Sequence, residues 1–554
     1  MRTFILLAIV PIILCVLKIG PTHEPVGLDI LIIQPTLDLV EHEPIHIMGD
    51  DEFEGWPGIG TKDNPYVLSN LSIDSSRNNA ISGIKVEHTS VHFLIENCLI
   101  KGVGPRHAGI FFGDVQNGWV RNNEIQNATR GIMIYDHSSY NILEDNTIEN
   151  TVEGIFLNVE CNNNIIRHNT ISQSSDTTIL VLQSYHNLIE GNIGTNSESG
   201  SRLVDSDNNT VRTNIFKDNV VGMYVHDHSA YNIIKGNKLS NLDYLGISNF
   251  ENASYNSYQD NNIWNTRDAG LVLRGGEGSI IKGNFIKDCR SNGLEAFNAV
   301  NVTISGNQVV QNRIGVHIQN STKVSVSNNV VKTNSESGIS LDQSYSISLF
   351  GNDIDNNIGH GIEAHNSNGF VMEYNSIENS GLSGVTLEKV VDGRLTQNNI
   401  TRSGTYGIRV IHSSASLVFL NSLRGNNNGH TQGFIEGWGV SWSNGTHGNY
   451  WSDHKHLYNE TNGICNIIYV LEGNGTDPHP LAHEYTWFVA PNLGKMPNLS
   501  NNILSGVTTT TTIAGNSGGE QRSTPFGDLV WLTAGLIFLT TQSKREKRRK
   551  CTLL

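Results

Sequence analysis

One asparagine recurs along most of this chain at a nearly constant interval, and apolar residues keep fixed distances from it. A glycine opens most units 14 or 15 residues before the asparagine, and successive glycines are separated by 22 to 24 residues or by whole multiples of that step. The asparagine column consists of Asn97, Asn123, Asn146, Asn169, Asn192, Asn214, Asn237, Asn261, Asn284, Asn307, Asn329, Asn352, Asn375, Asn398 and Asn421. This register indicates small units that bury a core only when they stack.

Within each unit the apolar residues alternate with polar residues, which is typical of strands rather than helices. In the unit that begins at Gly338, they fall into three short groups, which are Ile339 with Leu341, Ile347 with Leu349, and Ile354 alone. We therefore expect three short strands and three turns in each unit. Composition agrees, because 55 glycines and only 16% charged residues favour turns over helices. The sequence predicts an all-β fold in which each strand pairs with its equivalent one unit away.

The interval, the opening glycine and the asparagine column resemble the right-handed parallel β-helix repeats of surface and periplasmic proteins over residues 81–429. The resemblance implies a single-stranded right-handed parallel β-helix of about 15 coils, each of about 22–24 residues. In such a coil, the asparagine side chain would lie in a turn and bond its counterparts above and below. With strands about 4.8 Å apart, the rod would be on the order of 70 Å long.

The two ends of the chain are typical of targeting segments. An apolar run after Arg2 predicts a signal peptide or signal anchor over residues 1–20. A second apolar run followed by the basic stretch KREKRRK predicts a transmembrane helix over 526–543 and a cytoplasmic tail over 544–554. A Thr/Gly/Ser-rich stalk over 491–525 would connect this anchor to the body. We therefore expect a cell-surface protein whose β-helix lies outside the cytoplasm and whose C-terminal helix is in the membrane.

Two further segments flank the predicted coils. Residues 30–80 contain FEGWPGIGTKDNPYVLSNLSI, which is similar to the N-terminal cap of archaeal β-helix surface proteins. Residues 430–490 contain HGNYWSDH and GICNIIYVLEGNGTDPHPL, which resemble the C-terminal cap of the NosD family, whose members are associated with copper-site maturation. The resemblance rests on Gly448, Asn449, Tyr450, Trp451, Ser452, Asp453, Tyr469, Gly473, Asn474, Asp477 and Pro480. Asn462 and Asn466 replace carboxylates that this family carries, so a cation site there is not expected.

Candidate metal ligands are few. Copper favours Met, Cys and His, but the six methionines are dispersed and no C-x-x-C is present. The weak candidates are the cap histidines, which are His447, His454, His456, His479 and His483. The stretch around His226 and His228 is similar in sequence to the stretch around His137, but four coils separate them, so they would not share an ion. We predict no resident cofactor; copper and calcium are the alternatives that remain open.

The β-helix fold also occurs in polysaccharide lyases, hydrolases and epimerases, so we searched for their chemistry. The stretch GHG around His360 is similar to a polygalacturonase motif, but hydrolysis requires a pair of carboxylates. Glu336, one coil earlier, has no carboxylate partner beside it in the sequence. A lyase would need a calcium cluster near a basic residue, for which Asp342, Asp353, Glu363 and Arg409 are loose candidates. We expect His360, Asp342 and Glu363 to line turns, and we assign no catalytic residue.

Several other residues are assigned modest roles. Cys98, Cys161, Cys289 and Cys465 are far apart in coil number and are predicted to be buried and unbridged. Asn301 and Asn399 begin N-x-T sequons beside turns and are glycosylation candidates in an exported chain. The net charge of −16 opposes binding to nucleic acid.

The sequence therefore predicts an exported, membrane-tethered β-helix that binds an extended polysaccharide or surface glycan, or that serves as a surface scaffold. Four tyrosines are candidates for stacking on sugar rings, namely Tyr135, Tyr185, Tyr224 and Tyr244. An enzyme on the same fold is the first alternative. An accessory protein for copper-site maturation, as the NosD resemblance implies, is the second.

Overall fold

The computed structural model describes residues 38–77, 81–454, 458–459 and 462–484. These residues form a right-handed parallel β-helix of about 16 turns with nearly no helix, which confirms the predicted all-β fold class. Each turn contributes one strand to each of three parallel sheets, numbered here in the order in which the chain passes through them.

The predicted signal, stalk, transmembrane segment and basic tail lie outside the described residues. Within the part of the chain that the structure describes, no helix combines the length and the apolar character needed to cross a membrane. The membrane anchor therefore stays a prediction.

Sheet 1 follows the opening glycine of each unit. Its separate strands are Ile45–Met48, Ile84–Thr89, Thr177–Leu182, Ser199–Val204, Val221–His226, Ile247–Asn249, Leu271–Arg274, Leu294–Phe297, Val316–Gln319, Ile339–Asp342, Ile362–His365, Val385–Glu388, Ile408–Ile411 and Gly433–Glu436. Three longer strands pass through the corner from sheet 3 into sheet 1 and belong to both: Leu99–Val115, Glu124–Tyr135 and Thr147–Asn158.

Sheets 2 and 3 complete each turn. The strands of sheet 2 are Tyr66–Ser69, Phe93–Glu96, Gly118–Arg121, Ile142–Glu144, Ile165–Arg167, Leu188–Glu190, Thr210–Arg212, Ile233–Lys235, Ser257–Gln259, Ile280–Lys282, Thr303–Ser305, Ser325–Ser327, Ser348–Phe350, Val371–Glu373, Arg394–Thr396, Ser416–Phe419 and Val440–Ser441. The separate strands of sheet 3 are Val40–Glu41, Leu71–Asp74, Thr170–Ser172, Ile193–Thr195, Ile215–Lys217, Lys238–Leu242, Asn262–Thr266, Phe285–Lys287, Gln308–Val310, Val330–Lys332, Asp353–Asp355, Ser376–Glu378, Asn399–Thr401, Ser422–Arg424 and Tyr450–Trp451.

Short elements complete the described residues. They are the 3-10 helices Asp50–Phe53, Ser75–Arg77 and Asn427–Gly429, and the strands Tyr458–Asn459, Ile464–Cys465, Tyr469–Val470 and Thr476–Asp477, which form two antiparallel pairs. The expected flanking segments, 30–80 and 430–490, both contribute strands to the three sheets.

The core is a stack of apolar side chains that point inward from all three sheets. Leu341 of sheet 1 pairs in register with Ile318 of the coil before and with Ala364 of the coil after, and all three are fully buried. Alternation along each strand sends the neighbouring residues outward. Burial of one such aliphatic side chain contributes about 1.5–3 kcal/mol relative to its exposure, and only an adjacent coil can provide it.

The asparagine column forms a hydrogen-bonded ladder at the corner between sheets 2 and 3. The backbone N–H of Asn284 donates to Asn307 Oδ1 at 2.9 Å, and Asn284 Nδ2 donates to the carbonyl oxygen of Tyr258 at 2.9 Å. Each side chain thus bonds the coil before it and the coil after it. This pattern runs from Asn123 to Asn449 without a break.

The first predicted member of the ladder is misplaced by one residue. The backbone N–H of Cys98, and not that of Asn97, donates to Asn123 Oδ1 at 3.0 Å. Asn97 instead adopts a φ of 56° in the turn. Asn97 is equivalent to Asn122 of the next coil, and Cys98 occupies the ladder position beside it. The interval from Cys98 to Asn123 is long because the pairing register shifts between Val103 and Ala108. At the other end, Asn449 extends the ladder beyond the last predicted member.

The opening glycines are required because neighbouring coils approach closely there. A Cβ on Gly338 would lie 2.7 Å from the carbonyl oxygen of Gly361 and 2.7 Å from Ile354 Cγ2. No side chain fits this space without displacing the next coil. The opening glycine of each unit therefore packs directly against the apolar residue that follows the ladder asparagine.

The residues that resemble the NosD tail close the C-terminal end of the β-helix. Asp477 is fully buried, and its carboxylate accepts hydrogen bonds from the backbone N–H of Asn449 at 2.7 Å, from Trp451 Nε1 at 3.0 Å and from the backbone N–H of His479 at 3.0 Å. Burial raises the pKa of Asp477, and these N–H groups oppose that rise. A Cβ on Gly448 would lie 1.9 Å from Asp477 Oδ1.

Tyr469 completes this closure from the other side. Its ring stacks on Trp451 with centroids 4.2 Å apart, and its hydroxyl donates to Asp453 Oδ2 at 2.8 Å. Gln432 donates its backbone N–H to the Tyr469 hydroxyl and its side-chain Nε2 to Asp453 Oδ1. In this chain, the residues that resemble the NosD tail therefore cover the last coil and form hydrogen bonds with its polar groups.

We expect Asn284→Ala to lower the free energy of unfolding by about 1–3 kcal/mol, because it removes the buried side-chain partner of the Asn261 N–H and of the Tyr258 carbonyl, both in the coil before. The matched control is Lys282→Ala, two residues away on an exposed side chain, with an expected cost below about 0.5 kcal/mol. Urea denaturation of both variants measures the difference. Equal costs would contradict the ladder.

Candidate functional site

Outward side chains of sheet 1 form two rows that run along the rod. Row 1 consists of residues paired in register: Lys85, Phe111, Met133, Phe156, Leu180, Arg202, Tyr224, Ser248, Val272, Glu295, His317, Ser340, Glu363, Thr386, Arg409 and Phe434. Because every strand of a parallel stack keeps the same register, these side chains follow one another on a single face.

Row 2 lies two residues further along each strand, on the same face. Its first run is Glu87, Gly113, Tyr135, Asn158, Leu182, Val204 and His226, and its second run is Arg274, Phe297, Gln319, Asp342, His365, Glu388, Ile411 and Glu436. The two rows together change in character along the rod, from aromatic and apolar to charged.

The N-terminal half of row 1 combines aromatic rings with cations. Apolar side chains succeed one another from Phe111 to Leu180 without interruption. The Lys85 ammonium lies 5.5 Å from the ring centroid of Phe111, and the Arg202 guanidinium lies 5.4 Å from that of Tyr224. Both distances are within the range of cation–π attraction. This half presents flat apolar surfaces flanked by positive charge.

The C-terminal half holds a network of carboxylates and imidazoles. His365 Nε2 lies 3.5 Å from Glu363 Oε2, and His365 Nδ1 lies 3.4 Å from Glu388 Oε2 in the next coil. Asp342 occupies the position of His365 one coil earlier, where it accepts a hydrogen bond from Gln319 Nε2 at 3.2 Å. Four successive coils thus place polar side chains on one face.

These contacts fix the charge of the central pair. The hydrogen bond that His365 donates to Glu363 raises the pKa of His365, although partial burial opposes it. Burial acts to raise the pKa of Glu363, but hydrogen bonds from His365, Ser340 and Ser337 hold it below its usual value. Both groups are therefore charged between the lowered pKa of Glu363 and the raised pKa of His365.

Burial favours the neutral form of two other histidines, one on this face and one beside it. Burial lowers the pKa of His317, whose Nδ1 lies 3.3 Å from Asn292 Nδ2. Burial also lowers the pKa of His360, and the backbone N–H of Ser383 donates to His360 Nδ1 at 3.2 Å. An Nδ1 that accepts this bond leaves the ring proton on Nε2. His360 also lies 3.1 Å, through Nδ1, from Thr386 Oγ1 of row 1.

The candidates chosen from the sequence divide between two faces. Asp342, Glu363 and Arg409 lie in strands of sheet 1 and belong to rows 1 and 2, so the expectation that Asp342 and Glu363 line turns is wrong. Asp353 lies in sheet 3, where its carboxylate pairs with Lys332 at 2.7 Å. His360 does lie in a turn, beside the face rather than on it.

The residues that the sequence did not identify are Phe111, Phe156, Glu295, His317, His365 and Glu388. Each one is directly adjacent to an inward apolar residue of a sheet 1 strand. That position was visible in the repeat. The repeat did not show which of the three sheets would carry these rows, and no motif marks these residues individually.

The predicted cap histidines take separate partners. His447 Nδ1 lies 2.9 Å from Thr446 Oγ1, His454 Nε2 donates to the Ile467 carbonyl oxygen at 2.9 Å, and His479 Nδ1 lies 2.8 Å from Ser443 Oγ. His483 is exposed, and His456 lies outside the described residues. Among the described residues, the side chains grouped closely enough to hold an ion do not include these histidines.

The four described cysteines, Cys98, Cys161, Cys289 and Cys465, are buried and free. Burial raises the pKa of the Cys98 thiol to about 11 and that of Cys161 to about 12. Thiols of this kind are not thiolates near neutral pH.

The remaining candidates are distributed over different surfaces. Tyr135 and Tyr224 belong to the sheet 1 face, whereas Tyr185 and Tyr244 lie outside the strands. Asn301 is exposed in a turn, and Asn399 lies at the start of a sheet 3 strand with Arg424 Nη2 3.4 Å from its Oδ1. Glycosylation of the two asparagines stays a prediction.

Several solved structures are similar to this chain. An alginate lyase from Paenibacillus sp. str. FPU-7 has 16% identity and a TM-score of 0.32, covering 40% of this chain and 85% of its own. The AlgE4 A-module of the Azotobacter vinelandii mannuronan C-5 epimerase has 13% identity and a TM-score of 0.37, covering 72% of this chain and 100% of its own. The Dettilon tailspike protein has 12% identity and a TM-score of 0.33, covering 52% and 60%.

No curated protein matches the sequence. The model of a protein family does match it, at residues 55–268, 162–299 and 259–456, and that family is described as periplasmic copper-binding protein (NosD). These ranges extend through the coils and reach the closing segment that contains Asn449 and Trp451. Since they cover well over half of the chain, the protein belongs to the NosD family.

Proposed function

We propose that this protein is an exported, membrane-tethered surface protein whose β-helix binds an extended polysaccharide along the sheet 1 face. The observation that carries the proposal is row 1, which runs in one register from Lys85 to Phe434. Its partly exposed members include Phe111 and Tyr224 in one half and Glu363 and Arg409 in the other. Phe156, Leu180 and Val272 are buried between them.

The spacing of the rows suits a linear polymer with a repeating unit. Equivalent side chains recur about every 4.8 Å, and the face extends for roughly 70 Å. An extended polysaccharide laid along the rod would meet a similar position at each coil. A small ligand would use only one or two coils and would not require such a long face.

The chemistry of the face also suits sugars. Pyranose rings present apolar C–H surfaces that pack on aromatic rings such as Phe111 and Tyr224, and the adjacent cations add electrostatic attraction. Sugar hydroxyls form hydrogen bonds with carboxylates and imidazoles such as Glu363 and His365. Both kinds of contact are held on strands, so the face is already ordered before a ligand arrives.

We expect Phe111→Ala and Glu363→Gln each to weaken glycan binding by about tenfold, equal to about 1.4 kcal/mol, through loss of stacking and of a charge-assisted hydrogen bond. The full-length protein is first tested on a polysaccharide array that includes pectin and alginate. The variants are then compared by calorimetry on each polysaccharide that is retained.

Matched controls come from sheet 2, where Phe350 is exposed and Glu373 lies in the adjacent strand. Phe350→Ala and Glu373→Gln should leave the affinity within twofold. Failure to bind any polysaccharide, or an equal loss in the sheet 2 variants, would contradict the proposed face.

Acid–base chemistry on the bound glycan is a second candidate, and the observation that favours it is the proximity of neutral and charged titratable groups. Thr386 Oγ1 of row 1 lies beside neutral His360, one coil from the Glu363–His365 pair. Groups whose pKa values are displaced in opposite directions are typical of sites that transfer protons.

We nevertheless expect the protein to bind without turnover. Glu363, with its lowered pKa, is a poor proton donor near neutral pH, and His365 is engaged by two carboxylates. Incubation of the wild type with each retained polysaccharide should release neither reducing ends nor unsaturated uronates. Product that appears with the wild type and disappears with Glu363→Gln would establish the enzyme instead.

The export and anchoring of the chain belong to the same proposal, and they are supported by the apolar runs at both ends and the basic tail 544–554. We expect protease added to intact cells to digest the β-helix but to spare an epitope placed after Lys550. Immunoblotting for both regions measures the result. Loss of the epitope from intact cells would contradict the proposed topology.

A further inference from the structure

A cluster of three ligand-bearing side chains lies at the end of the first run of row 2. His226 ends its sheet 1 strand, Asp227 follows it in the turn, and Glu251 occupies the turn of the next coil. His226 Nδ1 lies 3.2 Å from Asp227 Oδ2 and 3.8 Å from Glu251 Oε2. One ligand atom from each residue falls within 4.8 Å of the others.

The imidazole ring of His226 is fixed by packing, but its hydrogen-bonding capacity is not satisfied. Its ring stacks on Phe250 with centroids 4.7 Å apart and an interplanar angle of 8°, and the edge of Tyr224 packs against it. Its Nδ1 is buried and makes no hydrogen bond of good geometry with any described residue, although Asp227 Oδ2 lies 3.2 Å away. A buried nitrogen of this kind carries an uncompensated cost unless another group binds it.

The two carboxyl groups of the cluster lie close to each other and to the imidazole. A hydrogen bond between Asp227 and Glu251 lowers the pKa of Asp227 and raises that of Glu251. Within the described part of the chain, the ion pairs of both carboxylates involve His226 and no lysine or arginine. Both of these contacts fall on His226 Nδ1, so the ligand atoms of the three residues lie close together.

A similar set of residues lies four coils earlier, and there the histidine contacts carboxylates through both ring nitrogens. His137 is exposed, its Nδ1 lies 2.8 Å from Asp136 Oδ1, and its Nε2 lies 3.2 Å from Glu160 Oε2. The hydrogen bond to Asp136 raises the pKa of His137. Each ring nitrogen of His137 thus has its own carboxylate, whereas both carboxylates near His226 approach the same nitrogen, Nδ1.

The cluster is also accessible. Glu251 lines a surface cleft of about 510 Å³ together with Asn252, Arg274 and Glu277. An ion could reach the carboxylates from this side, and water could complete its coordination there. Access of this kind is one of the requirements for a functional metal site.

We propose that His226, Asp227 and Glu251 bind a divalent cation of the borderline class, such as Zn²⁺. One imidazole nitrogen and two carboxylate oxygens match the ligand preferences of this ion, and water supplies its remaining positions. The cation neutralises the facing carboxylates and uses the buried Nδ1. The site is independent of the glycan-binding proposal, although it lies on the same face.

The test is calorimetric titration of chelator-treated full-length protein with Zn²⁺. Compared with the wild type, His226→Gln, Asp227→Asn and Glu251→Gln should each weaken one binding event by more than about tenfold. Asp227 and Glu251 lie in turns, so their conservative variants keep the test valid even if His226→Gln alters folding.

The controls are His137→Gln, from the similar set without a free nitrogen, and His228→Gln, from the same turn. Both should retain Zn²⁺ affinity within twofold. The proposal is overturned if the wild type does not bind Zn²⁺, if the three variants bind it as the wild type does, or if His137→Gln weakens binding as much as His226→Gln.

Discussion

The structure depends on side-chain amides that serve as backbone partners between coils. Each ladder asparagine accepts a hydrogen bond from the coil before it through Oδ1 and donates to a carbonyl of that coil through Nδ2, as Asn307 does with Asn284 and Ile281. The corner between sheets 2 and 3 is thereby sharp, buried and polar without unmet groups. Where the ladder holds, the strands on both sides of the corner keep their register, and the apolar columns of all three sheets stack.

Because the ladder and the inward residues form the contacts between coils, the outward positions can vary in residue type. Inward residues and ladder asparagines determine the coil. Of the outward residues of sheet 1, some are buried, such as Val272, and others are only half-buried, such as Phe111 and Glu363. Row 1 can therefore carry Phe111, Arg202 or Glu363 at equivalent positions without altering the backbone. Specificity can change along such a face one coil at a time, and this independence explains how one fold can carry different binding functions.

The repeat made the fold predictable, because glycine, asparagine and apolar residues each reflect a contact between neighbouring coils. It failed at Asn97, where the interval to Asn123 is longer than the others and a register shift in the following strand displaces the ladder by one residue. The face was not predictable, since Glu363 and Arg409 look like ordinary polar residues between core positions. The pairing of His226 with Glu251 likewise requires knowledge of which turns are adjacent.

The buried carboxylate of Asp477 gives the rod an end. A parallel stack exposes unpaired strand edges at its last coil, and these edges could accept an equivalent coil from another molecule. At this end the final ladder amide, Asn449, donates its backbone N–H to an acidic group that has no ladder position of its own, and Trp451 and Tyr469 cover the apolar interior. A cap of this kind opposes the addition of an equivalent coil from another molecule at this edge.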